Sequence, residues 1–346
     1  MVAKQNYFCI YCLQEKSRKH FNSEHVLLKA FGVFGTDTFT LINKVCIDCN
    51  QGFGNVIDNV LSRETLEGVH RFRYNVKDPK EFEYSKHAKN QTRIATNGFL
   101  EGFELKFSAN QNGTGLAYNP NDNYDVAFKK EDESYDFYHI DDLPDAETLK
   151  QKYPQCLEEI KILNNANAEY IVNILSKLFN TEYSLEEGIH EGNCQVKAIY
   201  RKEVFRAIAK IAFNYLTYYF NDTSLMIQKC FHPIRDFIVR GIGEWDQFIT
   251  IEKDPIIPDE NGYAKDVHLL TLSTNSKSIF SSVSLHNKIH YKICLTSNYE
   301  GKSFAFGHCF DPHAHKIHKL GKSSLVLAKA LPTSIQIVKP FIWLPS

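Results

Sequence analysis

Cys46-Ile47-Asp48-Cys49-Asn50-Gln51-Gly52-Phe53-Gly54, read with Cys9-Ile10-Tyr11-Cys12 upstream, decides the fold of the first part of this chain. Two Cys-x-x-Cys pairs at this spacing offer the four thiolates of a tetrahedral zinc ion. Each pair sits on a tight turn that brings two sulfurs about 2.3 Å from one metal. Cys9, Cys12, Cys46 and Cys49 are therefore expected to hold a structural Zn2+ that ties together the ends of one loop. That loop carries Glu24-His25, and Asn50 directly follows the last thiol.

Working outward, Thr38-Phe39-Thr40-Leu41-Ile42 alternates and is β-branched, which predicts a strand. After Asn50, the residues Val56, Ile57, Val60, Leu61 and Leu66 form an apolar stripe of helical spacing without proline. The predicted order is knuckle, loop, strand, second knuckle, helix. Asn50 falls at or just before the helix start, with Asp58 and Arg63 further along.

A chain of 346 residues can bury a sizeable core in two or three domains. The formal net charge of −1 supplies no global basic field, so any nucleic-acid contact must come from a local patch. No apolar run approaches the roughly 18 residues of a membrane span. The opening MVAKQNYFCIYC has no signal-peptide core, so a cytoplasmic protein without a membrane partner is expected. In that compartment paired cysteines mean metal more often than disulfides. Cys156, Cys194, Cys230, Cys294 and Cys309 are scattered singly and read as ordinary thiols.

Three regions follow from the patterning: residues 1–75 with the cysteine module, 76–150, and 151–346. The middle region opens with the alternating segments Glu81 to Tyr84 and Phe99 to Phe107. Turn-rich stretches at Thr96-Asn97-Gly98 and Asn110 to Gly113 suggest antiparallel hairpins. Residues 119–147 are acidic and read as a solvated loop or linker. Helices are predicted over Ala168 to Phe179 and Arg201 to Phe220. On the second, Arg201, Lys202, Arg206 and Lys210 form a basic face that either solvates the helix or tracks phosphates. From Phe248 the chain alternates in short segments, at Phe248 to Ile251, Val267 to Leu272, Ser278 to Val283, Tyr291 to Leu295 and Ser303 to Phe306. An antiparallel sheet is expected there. The fold class is α+β, a zinc-stabilised N-terminal module followed by mixed helices and antiparallel strands.

The polar trio in the module suits phosphodiester hydrolysis. A nuclease activates a water, holds a phosphate in line and neutralises charge on the leaving oxygen. A histidine accepts a proton near neutral pH. One carboxylate with an amide oxygen suits Mg2+, which keeps most of its waters. Glu24, His25 and Asn50 supply that set. In a regular strand Glu24 and His25 point to opposite faces, so a twist or bulge must let both reach one site. The other reading is a zinc module whose polar residues solvate a surface or cap a helix.

The arrangement resembles the HNH endonuclease family in its zinc-knuckle branch. Ser23-Glu24-His25-Val26-Leu27 matches the first strand of that family's pattern, and Cys46 to Asn50 matches the second knuckle and helix start. The resemblance covers residues 7–70 and implies a ββα-metal fold. It also implies His25 as general base, Glu24 and Asn50 as ligands of a catalytic Mg2+ or Mn2+, and the four cysteines as a structural zinc site. Asn43, three residues before Cys46, would be the middle asparagine that orients the base. Many relatives have aspartate before the histidine and Ile-Ile-Pro after it; this chain has Glu24 and then Val26-Leu27-Leu28.

The implied function is a metal-dependent DNA endonuclease, with RNA an open alternative and restriction or anti-phage defence a role by analogy. A catalytically inactive, zinc-stabilised nucleic-acid-binding or regulatory protein is the second reading. Residues 151–346 are expected to contact DNA or form a homodimer, through the basic helix face and Arg235 to Arg240. Weaker metal candidates are His313 with His315, and His286 with His290.

Overall fold

The structure is a computed structural model. It describes residues 6–78, 91–95, 105–109, 116–120, 124–132, 134–154, 160–163, 167–183, 194–252 and 266–320. The chain forms two compact units. One takes in the described residues of Met1–Asn90 and Ile199–Val338, the other those of Gln91–Asn112 and Leu116–Ala198. Mixed helices and antiparallel strands make this an α+β protein.

The first unit opens with β1 (Asn6–Phe8) paired to β2 (Glu15–Ser17) around the first cysteine turn. β3 (Phe21–His25) and β4 (Thr40–Cys46) form an antiparallel pair, and α1 (Ile47–Phe53) follows without a break. Cys46 is the N-cap of α1, so the second thiol pair straddles the strand-to-helix junction. Asn50 accordingly lies inside α1 rather than at its start, a correction to the predicted boundary. A π-helical turn, Gly54–Asp58, then leads into α2 (Asn59–Arg63). α3 (Leu66–Arg73) is capped by Thr65, whose hydroxyl accepts from Gly68 N.

α4 (Lys202–Phe220) is the centre of this unit. Every residue from Ala207 to Thr217 is buried, with Val204 and Phe205 ahead of them. A helix apolar on nearly all sides belongs in a core. α4 packs against β4, α2 and the π-turn on the module side, and against the C-terminal sheet on the other. It ends at Asn221 in the left-handed conformation (φ 49°). α5 (His232–Arg240) starts with Pro233, where a missing N–H costs nothing, and ends at Gly241 (φ 69°).

The basic face predicted for α4 is largely taken up by partners: Arg201 is exposed, Lys202 and Arg206 are half-buried and Lys210 is inside. Lys210 is 1% exposed. Arg206 donates to the carbonyls of Ile238 and Val239 at the end of α5, Arg201 pairs with Glu64, and Lys202 pairs with Glu244. Arg235 is also inside, donating to Ile10 O and Met226 O, while Arg240 pairs with Asp236 one helical turn back. Apart from Arg240, whose pair lies within α5, these cations join elements of the fold together.

The sheet contains β5 (Ile249–Glu252), β6 (His268–Asn275), β7 (Ser278–Leu285), β8 (Ile289–Thr296), β9 (Ala305–Asp311) and β10 (Lys316–Lys319). Their order is β5-β8-β7-β6-β9-β10, antiparallel throughout, as the alternation from Phe248 onward predicts.

In the second unit, residues 126–129 and 135–138 form a hairpin that Ile160–Ile162 extends to three strands. The acidic stretch is therefore structured, in contrast to the loop expected of it. Val126, Phe128, Leu149, Tyr153, Ile171, Leu175 and Phe179 supply the core beneath its acidic exterior. The helix Ala168–Phe179 has the predicted bounds. Leu105–Ala109 pairs with Leu116–Pro120, and Gln91–Ala95 with Cys194–Ala198. The predicted segments at 81–84, 96–98 and 110–113, with Cys156, lie outside the described residues.

Candidate functional site

Cys9, Cys12, Cys46 and Cys49 converge, each sulfur within 4.8 Å of the others. Cys12 Sγ and Cys46 Sγ stand 3.8 Å apart. Four sulfurs at about 2.3 Å from one ion in a tetrahedron are themselves separated by about 3.8 Å, so the cluster fits Zn2+. The turn is built for the purpose: Leu13 takes φ 59°, Cys9 N donates to Gln14 O, and Cys46 N donates to Cys9 Sγ. The Cys49 thiol hydrogen-bonds Cys9 and pulls its pKa down to about 5, while that same bond pushes Cys49 up and burial raises Cys12 to about 11. Lys16 Nζ lies 3.6 Å from Cys46 Sγ and 2.7 Å from Asp48, adding positive charge beside the sulfurs.

The β3–β4 pair carries an irregularity at Ser23, one residue ahead of Glu24; Glu24 and His25 themselves pair in regular register with Leu41 and Thr40. Register shifts between Asn22↔Val45 and Glu24↔Leu41, so Ser23 alone faces residues 42–44 of β4. Asn43 sits in this widened segment at φ 57°, a conformation asparagine tolerates better than most residues. Asn50 on α1 reaches across to the same place, its Nδ2 donating to Asn22 Oδ1 (3.0 Å) and Ser23 O (3.3 Å). That orientation leaves the amide oxygen as the group available to a cation.

His25 ends β3, half-buried. Burial, then the charges of Lys29 and Lys210, hold its pKa below the usual 6.5, which favours the neutral, proton-accepting imidazole at pH 7. Glu24 is 5% exposed and turns toward α4. Its Oε1 lies 2.6 Å from Lys210 Nζ and 3.2 Å from Asn214 Nδ2. Lys210 Nζ also lies 2.7 Å from Asp58 Oδ2. Burial pushes the Glu24 carboxyl up; Lys210 opposes this and Asp58 adds to it. Burial works against the Lys210 charge, yet the two carboxylates outweigh it and raise its pKa. The charge centre of the site is thus one ammonium between two carboxylates.

The structure brings the four thiols together and brings Asn50 to Asn22 and Ser23 of β3. It ties Glu24 to Lys210, Asn214 and Asp58 instead of to Asn50. Sequence reading missed Lys210, Asn214 and Tyr11 as parts of this network. One signal was available: Ala207, Ala209, Phe213 and Leu216 surround Lys210 and Asn214. Such a helix is buried all round, and its polar side chains need partners inside.

The weaker metal candidates do not assemble. His313 lies on a turn against Asp266, and His315, at φ 52°, donates to Val33 O. His286 is on a turn and His290 on β8. Among the described residues the four thiols are the one group of three or more His, Cys, Asp or Glu placed to share an ion. No helix among them is long and apolar enough to cross a membrane.

A cluster of four thiols that fits zinc, bracing a two-stranded hairpin and a helix, defines the class: a ββα module with Glu24-His25 at the end of β3 and Asn50 on its helix. Residues 9–66, about a sixth of the chain, match the family model described as HNH endonuclease. No curated protein and no solved structure gives a match.

Proposed function

We propose that the protein is a metal-dependent endonuclease that hydrolyses DNA phosphodiester bonds in the cytoplasm. The observation that supports this reading is the match of residues 9–66 to the HNH endonucleases, with Glu24-His25 ending β3 and the Asn50 amide of α1 hydrogen-bonded to Asn22 and Ser23 of that strand. In this mechanism neutral His25 takes a proton from water. The water oxygen forms a bond to phosphorus while the bond from phosphorus to the leaving sugar oxygen breaks; the leaving oxygen takes a proton from solvent and His25 returns its own to solvent, giving a phosphate monoester and an alcohol. Asn43 holds the widened strand open beside the base. Glu24 and Asn50 would hold Mg2+ or Mn2+, which supplies neutralising charge for the leaving oxygen.

Phosphate contacts come from cations around β3. Arg18, Lys19 and His20 form an exposed turn immediately before it, and Lys29 is exposed and close enough to His25 to bias its charge. These are local patches on a chain of net charge −1.

The test is wild type against His25→Ala on supercoiled plasmid with Mg2+, Mn2+ or EDTA. Cutting by wild type alone, abolished by EDTA, is expected. Equal cutting by a clean His25→Ala preparation would refute the assigned base.

One observation favours a second reading, a catalytically inactive, zinc-stabilised nucleic-acid-binding or regulatory protein. Glu24 already has a counter-ion in Lys210, as a module without a catalytic cation requires. That reading expects salt-dependent DNA binding with no cleavage under any divalent ion.

A further inference from the structure

Lys210 and Asn214 lie one turn apart on α4, far in sequence from the matched segment, and both are buried: Lys210 is 1% exposed and Asn214 0%. Neither touches solvent, so neither meets a substrate. Their partners are specific. Lys210 clamps Glu24 and Asp58. Asn214 Nδ2 donates to Glu24 Oε1 and also, at 3.3 Å, to the carbonyl of His25. Asn214 Oδ1 accepts from Tyr11 OH at 2.7 Å, inside the first cysteine turn. Three parts of the module (cysteine turn, strand and π-turn) are thereby joined by two side chains of one helix.

If α4 only had to dock, apolar side chains would serve at least as well, because replacing a buried ion pair with packed hydrocarbon is often neutral or stabilising. The polar groups instead grip the two adjacent residues on which the chemistry rests, Glu24 through its carboxylate and His25 through its carbonyl. A carboxylate this deeply buried would otherwise be expelled or neutralised. Resting on the nuclease reading above, we infer that Lys210 and Asn214 are positioning residues of the hydrolytic centre. They hold the Glu24 carboxylate and the His25 backbone in register, and the HNH centre is complete only with α4 in place.

The test uses full-length, zinc-loaded protein. Lys210→Met combined with Asp58→Asn removes one charge of each sign and leaves the net charge of the cluster unchanged. Asn214→Ala removes the amide alone, and Lys210→Arg is the conservative rescue. Zinc content and Tm report the fold, electron paramagnetic resonance titration reports Mn2+ affinity, and plasmid nicking gives kcat and KM. In the double variant, Mn2+ affinity and kcat are each expected to fall about 10- to 100-fold, as for residues supporting metal ligands. KM stays near wild type, because the phosphate-contacting cations are untouched. Asn214→Ala is expected to lower kcat in the same way, and Lys210→Arg to retain most of it.

Folded, zinc-loaded double and Asn214→Ala variants with wild-type Mn2+ affinity and kcat would overturn the inference. Should the double variant not fold, Asn214→Ala decides alone. Wild type that neither binds Mn2+ nor nicks DNA would instead refute the nuclease reading, and this inference with it; that result appears before any variant is compared.

Discussion

Lys210 Nζ lies 2.6 Å from Glu24 Oε1, with both side chains almost wholly out of water. The attraction is strong there, but so is the cost of stranding either group. Removing one partner of a buried pair typically costs about 3–5 kcal/mol. Lys210→Met leaves Glu24 and Asp58 facing each other without a cation, so a loss in that range is expected from urea unfolding. Adding Asp58→Asn should recover a large part of it, because one of the two stranded carboxylates is gone. Equal stability of Lys210→Met and wild type would show that water reaches the cluster.

The zinc cluster closes the loop that carries β3 and β4. Cys49→Ser, or a strong chelator, should remove one bound zinc per chain. The melting temperature is expected to fall by about 10 °C or more, since structural zinc contributes directly to folding free energy. Atomic absorption and a thermal melt check this together. Full stability after complete zinc loss would mean that α4 packing alone holds the module.

On the nuclease reading, the exposed cations around β3 make the phosphate contacts. Neutralising Arg18, Lys19 and Lys29 to Gln should weaken DNA binding for all sequences alike and flatten its salt dependence. Each lost contact reduces the log–log slope by about 0.9. Fluorescence anisotropy over a salt series gives that slope, and an unchanged value would place the DNA on another surface.

Much of this molecule could be read from local pattern. The four thiols, the helix over residues 168–179 and the alternating strands after Phe248 depend on neighbours close in sequence, and spacing or periodicity exposes them. The α1 boundary was misread because Cys46 caps the helix while still ending β4, so the knuckle spans two elements. The acidic stretch hid a hairpin because its outward charges masked the inward Val126 and Phe128. At the site, strand geometry asks for a bulge to bring Glu24 and His25 to one face; the irregularity falls at Ser23 instead, and Glu24 turns inward. The partners of Glu24 were not, because Lys210 and Asn214 come from a distant helix and only the assembled core brings them to β3.

Acid stability should be governed by a histidine pair beneath the hairpin loop. His268 Nδ1 accepts from His286 N and its Nε2 donates to Phe31 O, which fixes a neutral tautomer. Burial lowers the His268 pKa to about 4, with His313 lowering it further and Phe31 O and Asp311 opposing. Burial also holds His286 well below the usual value; His268, His70 and Arg71 add to this, and the backbone near Asp266 opposes it. Above pH 6.5 both states of the chain carry these histidines neutral, and no pH dependence arises from them. Between pH 6.5 and 4 the unfolded chain binds protons that the native state refuses. Stability therefore falls with falling pH, by about 1.4 kcal/mol per pH unit per histidine. His286→Phe keeps the ring contacts with Phe31 and His268 and removes one titrating site. It should reduce that slope by one proton and cost little at pH 7, since the His286 ring is buried and neutral there and phenylalanine keeps its aromatic neighbours. Urea midpoints between pH 4.5 and 7.5 measure the slope, and an identical slope in His286→Phe would place the acid sensitivity elsewhere.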